Sequence, residues 1–403
     1  MHIRTLYLRN ASCAAAIMFA AAAIWPGSLH GQTKSYVVTN NAIDGPNSAA
    51  IFVADGTPAL TVQGSVNAAG QGYPGGPNYA ATEAMTRQGT DLCLFVSDGG
   101  SNQVAAIIAQ TQKTVGEYSG SGSDDGSFGI GLAVRPDGKY LYAGFTASGS
   151  IATFSIGAGC TLTFLGDVAA GGINVDTVDG LRASPDGNLV VVANGDGSIQ
   201  SFTISAGLPV SNNDLQLSTG WNNYGSLPLS VDITADSKFA IFGDYDFANA
   251  RGEVEVSNIS SGKLATTLDY PSIIEGEGSL YIWLSPSEDL LYVDNSFSGQ
   301  ITALLFNKTT GVPSAGCISA PLKGYGTLWG GSYAIATATT VGDGGVIWVI
   351  ESGYGYITGY IGIVQVQHPT KLNCTLTEAA ASPATSPSDS ELFSLVAWPP
   401  RPF

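Results

Sequence analysis

The chain has 403 residues, with 32 acidic against 15 basic side chains and a net charge of −17, which repels phosphate backbones and anionic membrane surfaces and sets nucleic acid aside as a partner. Charged residues make up only 12% and glycines number 52, a balance suited to many short strands joined by tight turns rather than to long solvent-facing helices.

At the N-terminus, His2, Arg4 and Arg9 precede an apolar run from Ala11 to Trp25, followed by Pro26-Gly-Ser-Leu-His-Gly31. The run is about 15 residues long, short of the about 20 that a bilayer span requires. Residues 1–31 therefore read as a secretory signal peptide and 32–403 as one exported domain, secreted or periplasmic, with no later membrane span. Cys13 lies at the start of the apolar run, on the wrong side for lipid attachment. Export leaves Cys93, Cys160, Cys317 and Cys374, which an oxidising compartment allows to form disulfides in any of three pairings. Cys160, Cys317 and Cys374 each fall just before the last strand of a repeat, and Cys93 falls within a strand.

From Lys34 onward one element recurs: Tyr36-Val-Val-Thr-Asn40, Leu92-Cys-Leu-Phe-Val96, Tyr140-Leu-Tyr-Ala-Gly144, Leu189-Val-Val-Val-Ala193, Phe239-Ala-Ile-Phe-Gly243, Leu290-Leu-Tyr-Val-Asp294 and Val346-Ile-Trp-Val-Ile350. The starts are roughly 48 to 56 residues apart, a period that calls for a stacked or ringed repeat, because each unit is too small to bury its own apolar surface. Near-continuous apolar strands of this kind are buried on both faces. The third repeat shows a four-strand unit, Gly131–Val134, Tyr140–Phe145, Ser150–Ile156 and Thr161–Val168, with a turn at Arg135-Pro-Asp-Gly138. Proline fixes φ there, aspartate caps the turn and glycine takes the positive φ, so this element is hairpin chemistry. Ser184-Pro-Asp-Gly187, Thr234-Ala-Asp-Ser237 and Ser285-Pro-Ser-Glu288 repeat it.

The first repeat lacks an inner strand, and Ser394-Leu-Val-Ala-Trp-Pro399 aligns with Gly131–Pro136. The C-terminal strand is thus expected to complete the N-terminal unit and close a ring. Ala379 to Ser390 then reads as the connection leading to it. The expected fold is all-β, a seven-bladed β-propeller with four antiparallel strands per blade. Tyr-Val-Val-Thr-Asn40, Ser184-Pro-Asp-Gly-Asn-Leu-Val-Val-Val-Ala-Asn194 and Leu291-Tyr-Val-Asp-Asn295 resemble the YVTN-type repeats of the lactonase-like seven-bladed propellers, over roughly Lys34 to Phe403. The resemblance rests on turn and core residues. It implies a fold that hosts hydrolases of sugar-acid lactones such as 6-phosphogluconolactone alongside binding modules.

In a propeller the connections between blades, and those between the second and third strands, open on one face around the central channel. The inter-blade loops supply Asp125, Asp179, Tyr224, Glu277 and Trp329 as candidate ligand-binding residues, and the others supply Asp98, Asn194, Asp196, Asp244, Asp246, Asn295, Phe297, Glu351 and Tyr354. Converging carboxylates could hold Ca²⁺, with Asp179 and Glu277 the candidate ligands, and aromatic faces can stack on sugar rings. Turns also use Asp, Asn and Gly for their own geometry. Along the inner strands, Glu83, Arg182, Asp232, Tyr281 and Trp283 fall on the channel side. Arg182 and Asp232 occupy equivalent places in adjacent blades, where they could pair, or where Asp232, Arg182 and Glu83 could serve as catalytic candidates beside a bound ester. A structural ion pair is the simpler reading.

Asp244, Asp246 and Glu255 match the first, third and twelfth spacing of a calcium hand, but Ala248 and Asn249 break the loop and a hairpin accounts for the segment. There is no Gly-x-Ser-x-Gly elbow, His-Glu-x-x-His or phosphate-binding glycine loop. With only Arg182 placed in the channel, a phosphorylated substrate is poorly served. The reading is an exported, monomeric binding module that takes a small polar ligand or a protein partner on an acidic, aromatic face; the alternative is a lactonase-like hydrolase, with Ca²⁺ as the candidate cofactor.

Overall fold

The computed structural model describes residues 34–41, 45–55, 57–72, 83–120, 130–146, 148–172, 178–194, 196–217, 228–246, 251–270, 278–324, 335–336, 345–351, 359–370, 373–387, 392 and 394–400. All belong to the unit Thr33–Phe403; the segment read as a signal peptide lies outside the described residues.

The chain forms seven antiparallel sheets, here numbered as blades in chain order. Blade 2 begins with the inner strand Glu83–Gln88, blade 3 with Ile130–Val134, blade 4 with Gly180–Ala183, blade 5 with Ser230–Ile233, blade 6 with Ser279–Leu284 and blade 7 with Ile335–Ala336. Blade 1 takes its inner strand from the other end of the chain: Ser394–Trp398 pairs antiparallel with Ser35–Asn40, Tyr36 opposite Trp398 and Asn40 opposite Ser394. Each inner strand also contacts those of the neighbouring blades, including Ser394–Trp398 with both Ile335–Ala336 and Glu83–Gln88, so the ring is closed. Two blades carry an extra short strand, Gln216–Leu217 and Ala384–Thr385. The second lies within the 379–390 connection and pairs with Tyr360–Thr370, which fastens that connection to blade 7.

The core sits in the seams. Seven apolar clusters fill them, one per pair of adjacent blades. Second strands are buried on both faces, as in Leu189–Asn194, where Val190 and Val192 pack toward blade 3 while Leu189, Val191 and Ala193 pack toward blade 5. Side-chain alternation with period two thus gives each strand two apolar partners.

On the face away from the inter-blade connections, the repeated turns do more than reverse the chain. Gly187 lies at φ 72° and donates its N–H to Ser184 O at 2.8 Å, while Asp186 accepts from Ser184 Oγ and from the Asn188 N–H. Ser237 and Glu288 take the same left-handed place in blades 5 and 6 without being glycines. Each then links blades: Asp186 N–H donates to Ser237 Oγ at 3.0 Å, and Ala235 N–H donates to Glu288 Oε1 at 2.6 Å. Arg135 Nε donates to Gly187 O at 3.1 Å and Gln88 donates to Gly138 O, so a chain of turn-to-turn bonds runs from blade 2 to blade 6.

The cysteines pair as Cys93–Cys160, between blades 2 and 3, and Cys317–Cys374, between blades 6 and 7. Cys160 ends the single helical turn Ala158–Cys160 just before its blade's outer strand. Cys317 and Cys374 lie inside the outer strands Val312–Ile318 and Asn373–Glu378 rather than ahead of them, a correction to the expected placement.

Candidate functional site

Inner strands of blades 1 to 6 line a central cavity of about 470 Å³, bordered by Leu132, Asp179, Arg182, Ser230, Tyr281 and Trp283 among others. Arg182 and Asp232 stand at equivalent places, the first opposite Val191 and the second opposite Ile241 on their own second strands, and they meet across the gap with Nη2–Oδ1 at 3.3 Å. Asp232 is 1% exposed. Its Oδ1 accepts the Ile233 N–H and its Oδ2 the Leu284 N–H, both at 2.9 Å, and Ser230 Oγ accepts the Ile282 N–H at 3.1 Å. Side chains of blade 5 thereby satisfy the open backbone edge of blade 6, which a strand at the rim of a channel would otherwise leave bare. Asp232 is consequently an anchor with both oxygens engaged.

Arg182 lies over the Trp283 ring, its guanidinium carbon 5.0 Å from the centroid, and is pinned between that face and Asp232. Trp283 Nε1 is buried and makes no hydrogen bond among the described residues. A buried N–H donor without an acceptor is uncommon in a folded protein. Arg135, in the turn that follows the inner strand of blade 3, also borders the cavity, so Arg182, the one basic residue the sequence places in the channel, is not the sole guanidinium there. It is already held by Gly187 O, by Asp137 at 3.3 Å and by the Tyr140 ring.

Of the remaining sequence candidates, Asp179 is partly exposed on the cavity wall, its N–H bonded to Ala193 O at 3.2 Å. Glu83 opens the inner strand of blade 2 opposite Val96, and its side chain lies outside what is described. Asp125, Tyr224, Glu277, Trp329 and Tyr354 also lie outside the described residues.

The polar residues expected on loops between second and third strands are instead buried. Asp98, Asn194 and Asn295 end the second strands of blades 2, 4 and 6, Glu351 directly follows that of blade 7, Asp244 lies within that of blade 5, and each is at most 1% exposed. In two seams the preceding blade supplies a donor: Asn47 Nδ2 donates to Asp98 Oδ1 at 2.6 Å, and the Gly324 N–H donates to Glu351 Oε2. Burial pushes the Asp98 carboxyl up to about 8, with Asn47 opposing and Glu117 adding to the rise. Burial, then Glu378, raises Glu351 to about 7.

No known family model matches the chain, and no curated protein does. Solved structures do match in fold. A periplasmic gluconolactonase from Pseudomonas aeruginosa aligns over 91% of this chain and 99% of its own with a TM-score of 0.62 at 15% identity. A Bacteroides fragilis protein provisionally described as a 6-phosphogluconolactonase aligns over 92% and 99% with a TM-score of 0.60 at 16% identity. A functionally unknown protein from Desulfotomaculum acetoxidans aligns over 86% and 99%, with a TM-score of 0.58 at 16% identity. The chain therefore shares the seven-bladed architecture of lactonase-like propellers, and at such identities the likeness is one of fold.

Proposed function

We propose that the protein is an exported binding module that holds a small polar, ring-shaped ligand in its central channel. The observation that carries this reading is the Arg182–Trp283 pair: an immobilised guanidinium beside an indole whose N–H has no acceptor among the described residues, on the wall of a cavity of about 470 Å³. That volume is on the scale of small-molecule pockets rather than of protein interfaces. An acidic or polyhydroxy ring would offer an acceptor to the indole N–H and an oxygen to Arg182. The signal-like N-terminus and the two disulfides support export.

The lactone-hydrolase alternative draws on the two fold neighbours described as gluconolactonases. In that reading Arg182 would polarise the ester carbonyl and Asp232, with both oxygens engaged, would hold Arg182 in place rather than act as base.

Calorimetric titration of a panel of sugars, sugar acids and their lactones tests both readings. A lost charge-assisted contact is worth about 1.5 to 3 kcal/mol, so Arg182→Met should weaken binding tenfold or more. Trp283→Leu should act in the same direction. Binding that survives both substitutions unchanged would place the ligand elsewhere, and turnover of a lactone by the unmutated protein that is lost in Arg182→Met would favour the hydrolase.

A further inference from the structure

Blade 5 breaks the pattern of the seams. Its second and third strands, Phe239–Asp246 and Arg251–Asn258, pair with Asp244 opposite Glu253, Phe242 opposite Glu255 and Asp246 opposite Arg251. One face of this hairpin accordingly bears Asp244, Asp246, Arg251, Glu253 and Glu255. Ala240 and Phe242, on the same face, pack against Leu189, Val191, Ala193 and Ile199, so the acids are turned into the seam with blade 4. Asp244, Glu253 and Glu255 are each 0% exposed, and one carboxylate oxygen from each lies within 4.8 Å of the other two. Arg251 reaches Glu253 Oε1 at 2.7 Å and Asp246 at 3.7 Å. Glu253 Oε2, in contrast, is buried and accepts no hydrogen bond among the described residues, and Asp269, across from Glu255 on the outer strand, has a second such oxygen in Oδ1.

Blades 2 and 7 each bury one second-strand acid, Asp98 or Glu351, with a donor from the neighbouring blade on one oxygen and, among the described residues, none on the other. Blade 5 instead gathers three fully buried carboxyls in one place, with Arg251 on Glu253 Oε1 and no described donor on Glu253 Oε2. Buried carboxylates are costly unless protonated, paired or bound to a cation. We propose that Asp244, Glu253 and Glu255 form a calcium site buried in the face of blade 5 that packs on blade 4. The donors are all hard oxygens, with neither His nor Cys in the set, which excludes the zinc preference. Three carboxylates that can each bind through one or two oxygens suit the six to eight irregular contacts of Ca²⁺. Mg²⁺ keeps several waters and a strict octahedron, which a dry seam opposes.

The test uses the full exported chain, stripped with a chelator and then titrated with CaCl₂ at neutral pH by calorimetry, alongside thermal melts. Binding of about one Ca²⁺ per chain is expected, with a raised melting midpoint and a smaller response to Mg²⁺. Glu253→Gln and Glu255→Gln should each weaken binding about tenfold or more, since each removes one ligand charge. Both variants should melt no lower than the stripped parent in chelator, because they relieve carboxylate repulsion. Asp179→Ala, on the cavity wall, should leave the calcium response intact. No heat and no midpoint shift in the unmutated protein would overturn the site, as would a calcium response that both glutamine variants retain in full.

Discussion

Removing residues 391–403 should open the ring, and the size of the effect follows from what the last strand buries. Leu392, Leu395 and Ala397 are buried in the seam between blades 7 and 1, and Val396 and Trp398 pack against the seam between blades 1 and 2. Two fully buried leucines at about 1.5 to 3 kcal/mol each, with fractional contributions from Val396 and Trp398, bring the loss to about 5 to 9 kcal/mol. A typical domain has only about 5 to 15 kcal/mol in total. The deletion also strips Ser35–Asn40 of its partner and turns it into an exposed edge prone to pairing with other chains. A chain ending at Ser390 should therefore lose its cooperative melt by circular dichroism or melt far below the parent, and a synthetic 391–403 peptide should restore part of it. If the shortened chain does not accumulate, Leu395→Ala in the full chain should cost about 2 to 5 kcal/mol, against little change for Leu215→Ala at an exposed position. An unchanged midpoint after the deletion would refute closure by the C-terminal strand.

Two further outcomes can be checked by thermal melting. Asp98 and Glu351 have folded-state values raised to about 8 and about 7 from 3.8 and 4.5. Protonation therefore stabilises the fold, and that stabilisation is complete below about pH 4 and lost as pH rises through 7 and 8. The midpoint should fall between pH 5 and about 8.5 in chelator, and Asp98→Asn should flatten the curve; a midpoint rising over that range would contradict the burial of these acids. Burial raises the Asp186 and Asp236 carboxyls in the turns, but hydrogen bonds together hold them below the usual carboxylate range, so their contribution runs the other way and is lost in acid. The two disulfides close spans of 67 and 57 residues, worth at most about 4 kcal/mol each by loop entropy. Cys93→Ser/Cys160→Ser and Cys317→Ser/Cys374→Ser should each lower the midpoint, and insensitivity to reductant would mean that the pairs do not form in solution.

The blades and their closure were legible because the signals are local: five-residue apolar blocks, Pro-Asp-Gly turns, and an inner strand missing at one end and present at the other. The fate of the polar residues that end those blocks was not. Asp98, Asp244 and Glu351 follow apolar runs and precede turn residues, which reads as a loop open to the channel face. The alternation of the strand nevertheless continues through them and delivers each into a seam, where only the neighbouring blade decides whether it meets a donor, as Asn47 does for Asp98. Cysteine pairing was open for a related reason. Cys93 reaches Cys160 only because the second strand of blade 2 lies beside the outer connection of blade 3, a radial relation that no spacing encodes. The acidic cluster did leave a sequence trace, Gly252-Glu-Val-Glu-Val256, in which carboxylates alternate with valines. Val254 and Val256 pack into the seam with blade 6, so Glu253 and Glu255 must face blade 4. Two acids on the inward face of a strand buried on both sides require protonation or a compensating charge. The spacing of a calcium hand named two of the three carboxylates, Asp244 and Glu255, but placed them on a loop; cross-strand register supplies Glu253 as the third and replaces the loop with a sheet face.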